Sequence, residues 1–388
     1  MNIIQVGLDV RPESGGTYRT IANFEEALRS RGHTTRVLNC MSGRRPAIDG
    51  GRLQIRTAAT PLLRSYHYCG RESRSLINRA LLGSDLVVLH GPYAHPFEIV
   101  ASYARQTCTP YVVVLHGGLD PHVFSYRRIR KQLWLRLIGQ RFLAEASGVI
   151  CATAAEATKA RSIHADVHPT VLHWPVRMRA QGVAGDGAAQ TIRARYGLGQ
   201  DVRLALFVGR IHPVKRVVEL AKAFSMSARR LGWVLLIVGP SSPEISVQDI
   251  QNVCAKSPGC VYVGPKYGEE LVMYYDAAEV LFCLSIKENF GYAVAEACAA
   301  GLPVAVSGGV DLAAEISASG SGFVLIDGED IASFIGAVAS VSKDALHKIG
   351  TVGRRWSEEA LSWEGFVEGT AALVASLVPR RSHGANQL

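Results

Sequence analysis

No apolar run in the chain reaches the roughly eighteen residues that a membrane span requires, so no bilayer crossing is expected. No two of the eight cysteines form a C-x-x-C pair. They lie at Cys40, Cys69, Cys108, Cys151, Cys254, Cys260, Cys283 and Cys298, several within apolar stretches such as LFCLS and EACAAG. The nearest pair, Cys254 and Cys260, has no second pair at metal-site spacing, so the set reads as reduced, buried thiols of a cytosolic protein rather than as a zinc site. There is no D-x-D triplet, hence no paired acids to hold magnesium or manganese. A complete glycine fingerprint for dinucleotides is missing too. GDGAAQ (Gly185 to Gln190) neither follows a strand nor completes the third glycine, which puts hydride-transfer chemistry last. Acids are in deficit, 33 Asp and Glu against 42 Lys and Arg, for a formal charge of +9. Such a balance suits anionic partners, whether nucleotides, nucleic acid or an anionic membrane face, and equally a plain solvated basic surface.

What is present is a globular α/β pattern. With 48% hydrophobic and 19% charged residues, 388 positions are comfortable for two domains that each bury a core. The runs NIIQVGL, TTRVLN, DLVVLHG, YVVVLHG and GVICAT alternate with helix-like segments, as at Arg19 to Arg31 with Gly32 as the stop. The opening MNIIQVGLDVRPESGG reads as a strand entering a glycine turn, not as a signal peptide. The rhythm breaks at VRMRAQGVAGDGAAQ, taken as a linker, and resumes with RLALFVGR, WVLLIVGP, CVYVGP, VLFCLS and LPVAVS. Two Rossmann-like doubly wound parallel sheets facing a cleft are therefore expected, over residues 1–178 and 190–356. A helical segment, 357–378, read as one long amphipathic helix or a pair of helices, is expected to cross back to the first domain, and PRRSHGANQL reads as a frayed tail. Ligands of such sheets sit beyond the carboxyl ends of their strands.

Two stretches at such ends carry chemistry. In LFVGRIHPVKRVVELAKAFS a buried strand ends at Gly209, and Arg210 and Lys215 follow on the turn that opens a helix. Two cations beside a positive helix terminus form a clamp for a diphosphate. In KENFGYAVAEACAAGLPV, Glu288 precedes a helix of small residues and Glu296 lies within it, about two turns along and aimed back at the same region. A carboxylate accepts two hydroxyl hydrogen bonds at once, which suits ribose or sugar diols. Capping by Glu288, an exposed Glu296 and solvated cations are the ordinary alternatives.

FVGRIHPVKRVVELAKAF and, further along, ENFGYAVAEACAAGLPV closely resemble, in order and spacing, the two signature segments of glycosyltransferase family 4, the group 1 retaining transferases of the GT-B fold. The likeness is strong from Leu206 to about Glu315 and weaker elsewhere. It implies transfer of a sugar from a nucleotide-diphosphate donor with retention of configuration. By that resemblance Glu288, with Asn289, Phe290 and Gly291 around it, meets the donor sugar, and Glu296 meets the ribose. Arg210 and Lys215 would stabilise charge on the departing diphosphate without a metal or other cofactor. Front-face departure, with the leaving phosphate taking the acceptor proton, is also implied, since no carboxylate pair is arranged as in retaining glycosidases.

The same resemblance assigns His116, directly after the strand in YVVVLHGGLDP, to a place beside the donor sugar, where it fixes the sugar rather than attacking it. Gly15 and Gly16 match the family's first loop, whose amides approach the diphosphate. His90 matches a recurrent histidine read as a core or cleft-wall residue and is left out of the site. Glu156 reads as a helix-start signal near the hinge, and Gly308 and Gly309 as a loop beneath the donor. RRIRKQLWLRLIGQRF mixes six cations with apolar residues on an amphipathic helix, suited either to an anionic bilayer or to packing on its own sheet. The expected acceptor is a saccharide, free or lipid-linked, in bacterial polysaccharide assembly, with no nucleic acid partner. Small-molecule glycosylation, a nucleotide-sugar epimerase on the same scaffold and a non-catalytic binding protein are the rivals. Donor base and sugar, linkage and oligomeric state are not fixed by the residues.

Overall fold

The computed structural model describes residues 1–11, 15–42, 47–49, 52–57, 67–125, 128–177 and 187–377. The chain divides into two compact units, Met1–Pro175 with Glu364–Leu388, and Val176–Trp363. Most of the stretch read as a linker, 178–186, and the tail lie outside the described residues, as do Glu13 and Ser14 of the first glycine turn.

The first unit is built on β1 (Asn2–Gly7), β2 (Thr34–Ser42), β3 (Ala47–Asp49), β4 (Arg52–Thr57), β5 (Leu86–His90), β6 (Tyr111–Val114), β7 (Gly148–Cys151) and β8 (Pro169–Val171), in the sheet order β3-β4-β2-β1-β5-β6-β7-β8. Every pairing is parallel except β3 with β4. Helices cover both faces of a parallel sheet, so its central strands read as unbroken apolar runs: all of β5 and β6 is buried. The five strands anticipated from the sequence are β1, β2, β5, β6 and β7. The others lie at or next to the sheet's edges and carry less of that signal, such as the three-residue β8, which opens on a proline.

The second unit holds β9 (Arg203–Val208), β10 (Trp233–Val238), β11 (Cys260–Gly264), β12 (Val280–Cys283), β13 (Val304–Ser307) and β14 (Gly322–Leu325), all parallel, in the order β11-β10-β9-β12-β13-β14. Of these only β14, a short edge strand, lies beyond the sequence reading. In both sheets the order reverses direction beside the first strand, between β1 and β5 and between β9 and β12. Loops leaving the two strands diverge there, and the sheet itself opens a crevice.

The described part of the amphipathic stretch, residues 357–377, is divided between two helices, one of the two readings the sequence allowed. Residues 357–360 end the long helix Lys343–Ala360, which stays with the second unit: Arg354 donates to the Ala300 carbonyl at 2.9 Å, and a Cβ on Gly350 would lie 1.9 Å from the Gly301 oxygen. The chain passes to the first unit only at Glu364, within helix Trp363–Leu377. There Phe366 joins Phe24 and Trp174 in an aromatic cluster, with ring centroids 5.1 and 6.3 Å away.

Candidate active site

In the second unit three loops meet at the β9/β12 switch point. After β9, Gly209 leads through Arg210 and Ile211 to His212, whose Nδ1 accepts from Val214 N–H at 3.1 Å and so caps the short 3-10 turn Pro213–Lys215. Arg216 adopts a left-handed conformation, φ 52°, and helix Val217–Ser227 follows. After β12 comes the Lys287-Glu288 loop, and after β13 the Gly308-Gly309 loop.

Main-chain hydrogen bonds hold these loops together. Ile286 N–H donates to the Val214 carbonyl at 2.8 Å, Glu288 N–H to Gly309 at 2.9 Å, and Asp311 N–H to Glu288 at 2.9 Å. Close approach explains the glycine at 309: a Cβ there would lie 2.2 Å from the Ile286 oxygen and 2.5 Å from that of Ser285. Gly291, with φ 80°, caps helix Tyr292–Ala299 in a left-handed conformation that favours glycine, and no side chain caps that helix start.

The scaffold brings Lys215 and Glu288 into direct contact, ammonium Nζ to carboxylate Oε2. Each side chain retains about a fifth of its exposure, 19% and 21%, so the pair is screened from water yet open to a ligand. Burial pulls the Lys215 pKa below its ordinary value, and the Arg210 charge pulls the same way. The nearby Cys283 thiol works in the opposite direction. Arg210 itself is exposed. Glu296 lies one helix away and accepts from the Tyr275 hydroxyl at 2.7 Å, a partner that sequence reading missed because it comes from helix Gly268–Ala277. Asn289 has a buried Oδ1 with no hydrogen-bond partner among the described residues. The Phe290 ring is buried edge-to-face on Tyr292, centroids 5.1 Å apart, which leaves its backbone to meet a ligand.

The first unit carries its own group at the β1/β5 switch point. Gly15, φ 73°, is the cap residue of helix Gly16–Ser30, with open space about its Cα and no side chain capping the helix. His116 lies two residues past β6 with φ 49°, a strained left-handed conformation for a residue with a Cβ. Buried Glu156 braces this turn. One carboxylate oxygen accepts from Gly117 N–H at 2.5 Å, the other from Ala152 N–H at 2.6 Å. Glu156 also stands three residues after Thr153, whose Oγ1 accepts from the Glu156 N–H, so the helix-start reading was incomplete rather than misplaced.

His90, left out of the site on sequence grounds, is joined to it. Its Nδ1 lies 3.1 Å from His116 Nε2, and its Nε2 lies 2.9 Å from Gln5 Oε1. Burial pushes the His116 imidazole down to about 4 and holds His90 well below its ordinary value. Both rings are therefore neutral near pH 7. The only sequence signal for the pairing was that both histidines lie at or just past the ends of neighbouring strands, in VVLHG and VVVLHGG.

Comparison with known proteins fits both halves. The family described as Glycosyl transferases group 1 matches residues 188–361, and Glycosyltransferase Family 4 matches residues 14–176. The chain belongs to glycosyltransferase family 4. Among curated relatives of this family 4 chain, the D-inositol 3-phosphate glycosyltransferase of Mycolicibacterium smegmatis is 32% identical over 222 residues, 53% of this chain and 48% of that protein. The Geodermatophilus obscurus protein of the same name is 31% identical over 254 residues, 61% and 54% of the two chains. The alignments thus span about half the length of these relatives. Solved structures share the GT-B fold over nearly the whole family 4 chain. Sucrose-phosphate synthase from Thermosynechococcus elongatus has TM-score 0.74 at 20% identity, covering 97% of this chain and 99% of that one. Anabaena Alr3699/HepE, in complex with UDP and glucose, has TM-score 0.74 at 16% identity, covering 97% and 100%.

In this family 4 chain the exposed face of the basic helix has a distinct pattern. Helix Arg128–Trp134 runs through a π-turn, Leu135–Gly139, into Gln140–Ala144. Trp134 and Phe142 are buried, whereas Ile129, Leu133 and Leu137, at four-residue spacing, are 83%, 55% and 71% exposed. Arg128, Arg136 and Arg141 are exposed beside them, and Arg127 lies outside the described residues. No helix among the described residues is long and apolar enough to cross a membrane, and no group of three His, Cys, Asp or Glu among them is placed to hold a metal ion.

Proposed function

We propose that the protein is a retaining glycosyltransferase that moves a sugar from a nucleotide-diphosphate sugar to a saccharide acceptor carried on a lipid at the cytoplasmic face of a membrane. The observation that carries the reading is the Lys215–Glu288 contact at the β9/β12 switch point, with Glu296 one helix away. A bound donor gives each partner a better role. Lys215, with Arg210, meets the diphosphate and the negative charge that grows on it, while Glu288 is released to accept sugar hydroxyls. Glu296 and its Tyr275 partner supply the acceptor and donor that a ribose diol needs. Cations in this position take the part a metal plays elsewhere, so the reaction is expected to run without one. For the first unit, the family resemblance assigns donor contacts to the amides before helix Gly16–Ser30 and to the His116 ring. UDP-sugars are the first donors to try, because a related structure holds UDP and glucose. Polysaccharide assembly and a peripheral membrane contact are supported by the exposed Ile129-Leu133-Leu137 stripe flanked by arginines, a pattern that lies in anionic headgroups.

The test supplies purified protein with UDP-, GDP- and ADP-sugars, with and without lipid-linked saccharide in anionic vesicles. Donor turnover with one base, product of unchanged anomeric configuration by NMR, and a rate that rises with vesicles and drops in Leu137→Glu are expected. Neither transfer nor slow donor hydrolysis with any donor would sink the reading. Isomerised donor without acceptor would point to an epimerase instead.

A further inference from the structure

We propose that Gln5 and His90 are positioning residues for His116, fixing its ring in one orientation and one tautomer through a buried chain of hydrogen bonds. The two supporting members are fully sheltered, Gln5 at 0% and His90 at 4% exposure, and they come from the adjacent strands β1 and β5. A neutral imidazole has one donor and one acceptor nitrogen. Gln5 Oε1 can only accept, so His90 Nε2, 2.9 Å away, carries the proton. The His90 Nδ1 is then a lone pair, and His116 Nε2, 3.1 Å away, must donate to it. His116 Nδ1 is left as the acceptor of the ring. Turning the Gln5 amide over would shift every proton one place and make that same atom a donor. One side-chain amide thus selects the hydrogen-bonding character of a ring two partners away.

Nothing charged joins the chain: among the described residues no carboxylate hydrogen-bonds to Gln5, His90 or His116. Its effect is therefore orientational rather than an ion-pair effect. The His116 backbone is held from the other side, through the Glu156 contact with Gly117 N–H. Phe24 stands edge-on to His90 at 5.8 Å, and Trp174 lies 6.0 Å from His116, leaving little room for either ring to turn. A strained φ at His116, a braced backbone and a tethered ring tip together over-determine one geometry.

The proposal rests on the glycosyltransferase reading only for the role of His116 beside the donor sugar. Histidine 15N NMR of the full chain reads the tautomers directly. His116 is expected as a single Nε2–H tautomer that becomes a mixture in His90→Phe, which keeps a flat ring against Phe24 and removes both nitrogens. In steady-state assays His90→Phe is expected to lower kcat about tenfold with donor KM changed less than about twofold, the signature of a misplaced group. His90→Asn, which can return an acceptor to His116, should recover kcat to within roughly threefold of the parent. Should His90→Phe not fold, Gln5→Leu must give the same loss of a single tautomer. A mixture in the parent protein, or an unchanged His116 spectrum in the variant, overturns the proposal. Absence of turnover by the parent overturns the glycosyltransferase reading instead, and the spectra still decide the tautomer question.

Discussion

The two units place their functional groups at equivalent points of similar sheets, yet secure them differently. In the second unit the loops bearing Lys215, Glu288 and Gly309 are joined main chain to main chain, through Ile286 to Val214, Glu288 to Gly309 and Asp311 to Glu288. In the first, His116 is held by side chains, Glu156 on its backbone side and His90 with Gln5 at the ring. Where the backbone carries the framework, a side chain can be spent on chemistry alone. Where side chains carry it, framework and function are removed together.

Lys215→Ala should show the largest effect and the cleanest separation. Donor turnover is expected to fall by about 10²–10³, while thermal unfolding moves little, because the main-chain bond from Ile286 to Val214 survives the substitution. Equal losses of turnover and stability would break the comparison. Glu156→Ala should behave in the opposite way. It removes the carboxylate that accepts from the buried Gly117 and Ala152 N–H groups, at a cost of about 1–3 kcal/mol for each bond lost, measurable by denaturant unfolding. Retained stability would mean that the first unit, too, is held by its backbone.

The smallest effect is with pH. His116 ionises near 4 in the folded chain and His90 well below its ordinary value, against 6.5 for a free imidazole. Below pH 6.5 the unfolded chain therefore binds more protons than the folded one, so the stability present above 6.5 is progressively lost as pH falls toward 4. A flatter dependence of the unfolding midpoint is expected in His90→Asn, and an unchanged slope would place the titration elsewhere.

The same contrast explains what could be read from the sequence. Strands buried on both faces announce themselves as apolar runs, and the close approach of loops leaves its mark as glycine at fixed spacing, so Arg210, Lys215, Glu288, Gly291 and Glu296 were legible. Lys215 and Glu288 were correctly brought to one region, although their direct contact was not foreseen. Gln5, His90 and Glu156 are separated by scores of residues and obey no local spacing. Their partnership exists only once β1, β5 and β6 lie side by side and helix Ala154–Ile163 has docked. Tyr275 was hidden for the same reason. Edge strands β8 and β14 were missed because short edge segments lack the long apolar run, and the direction of the Phe290 ring could not be read because a motif position does not fix it.

Helix Trp363–Leu377 sets an order for synthesis. Phe366 from the last part of the chain fills the aromatic cluster with Phe24 and Trp174, next to His90, and Leu377 packs near Gly148. A nascent polypeptide emerging from the ribosome can therefore finish its second half before its first. The amino-terminal half gains that aromatic wall only once residues 364–377 have left the exit tunnel.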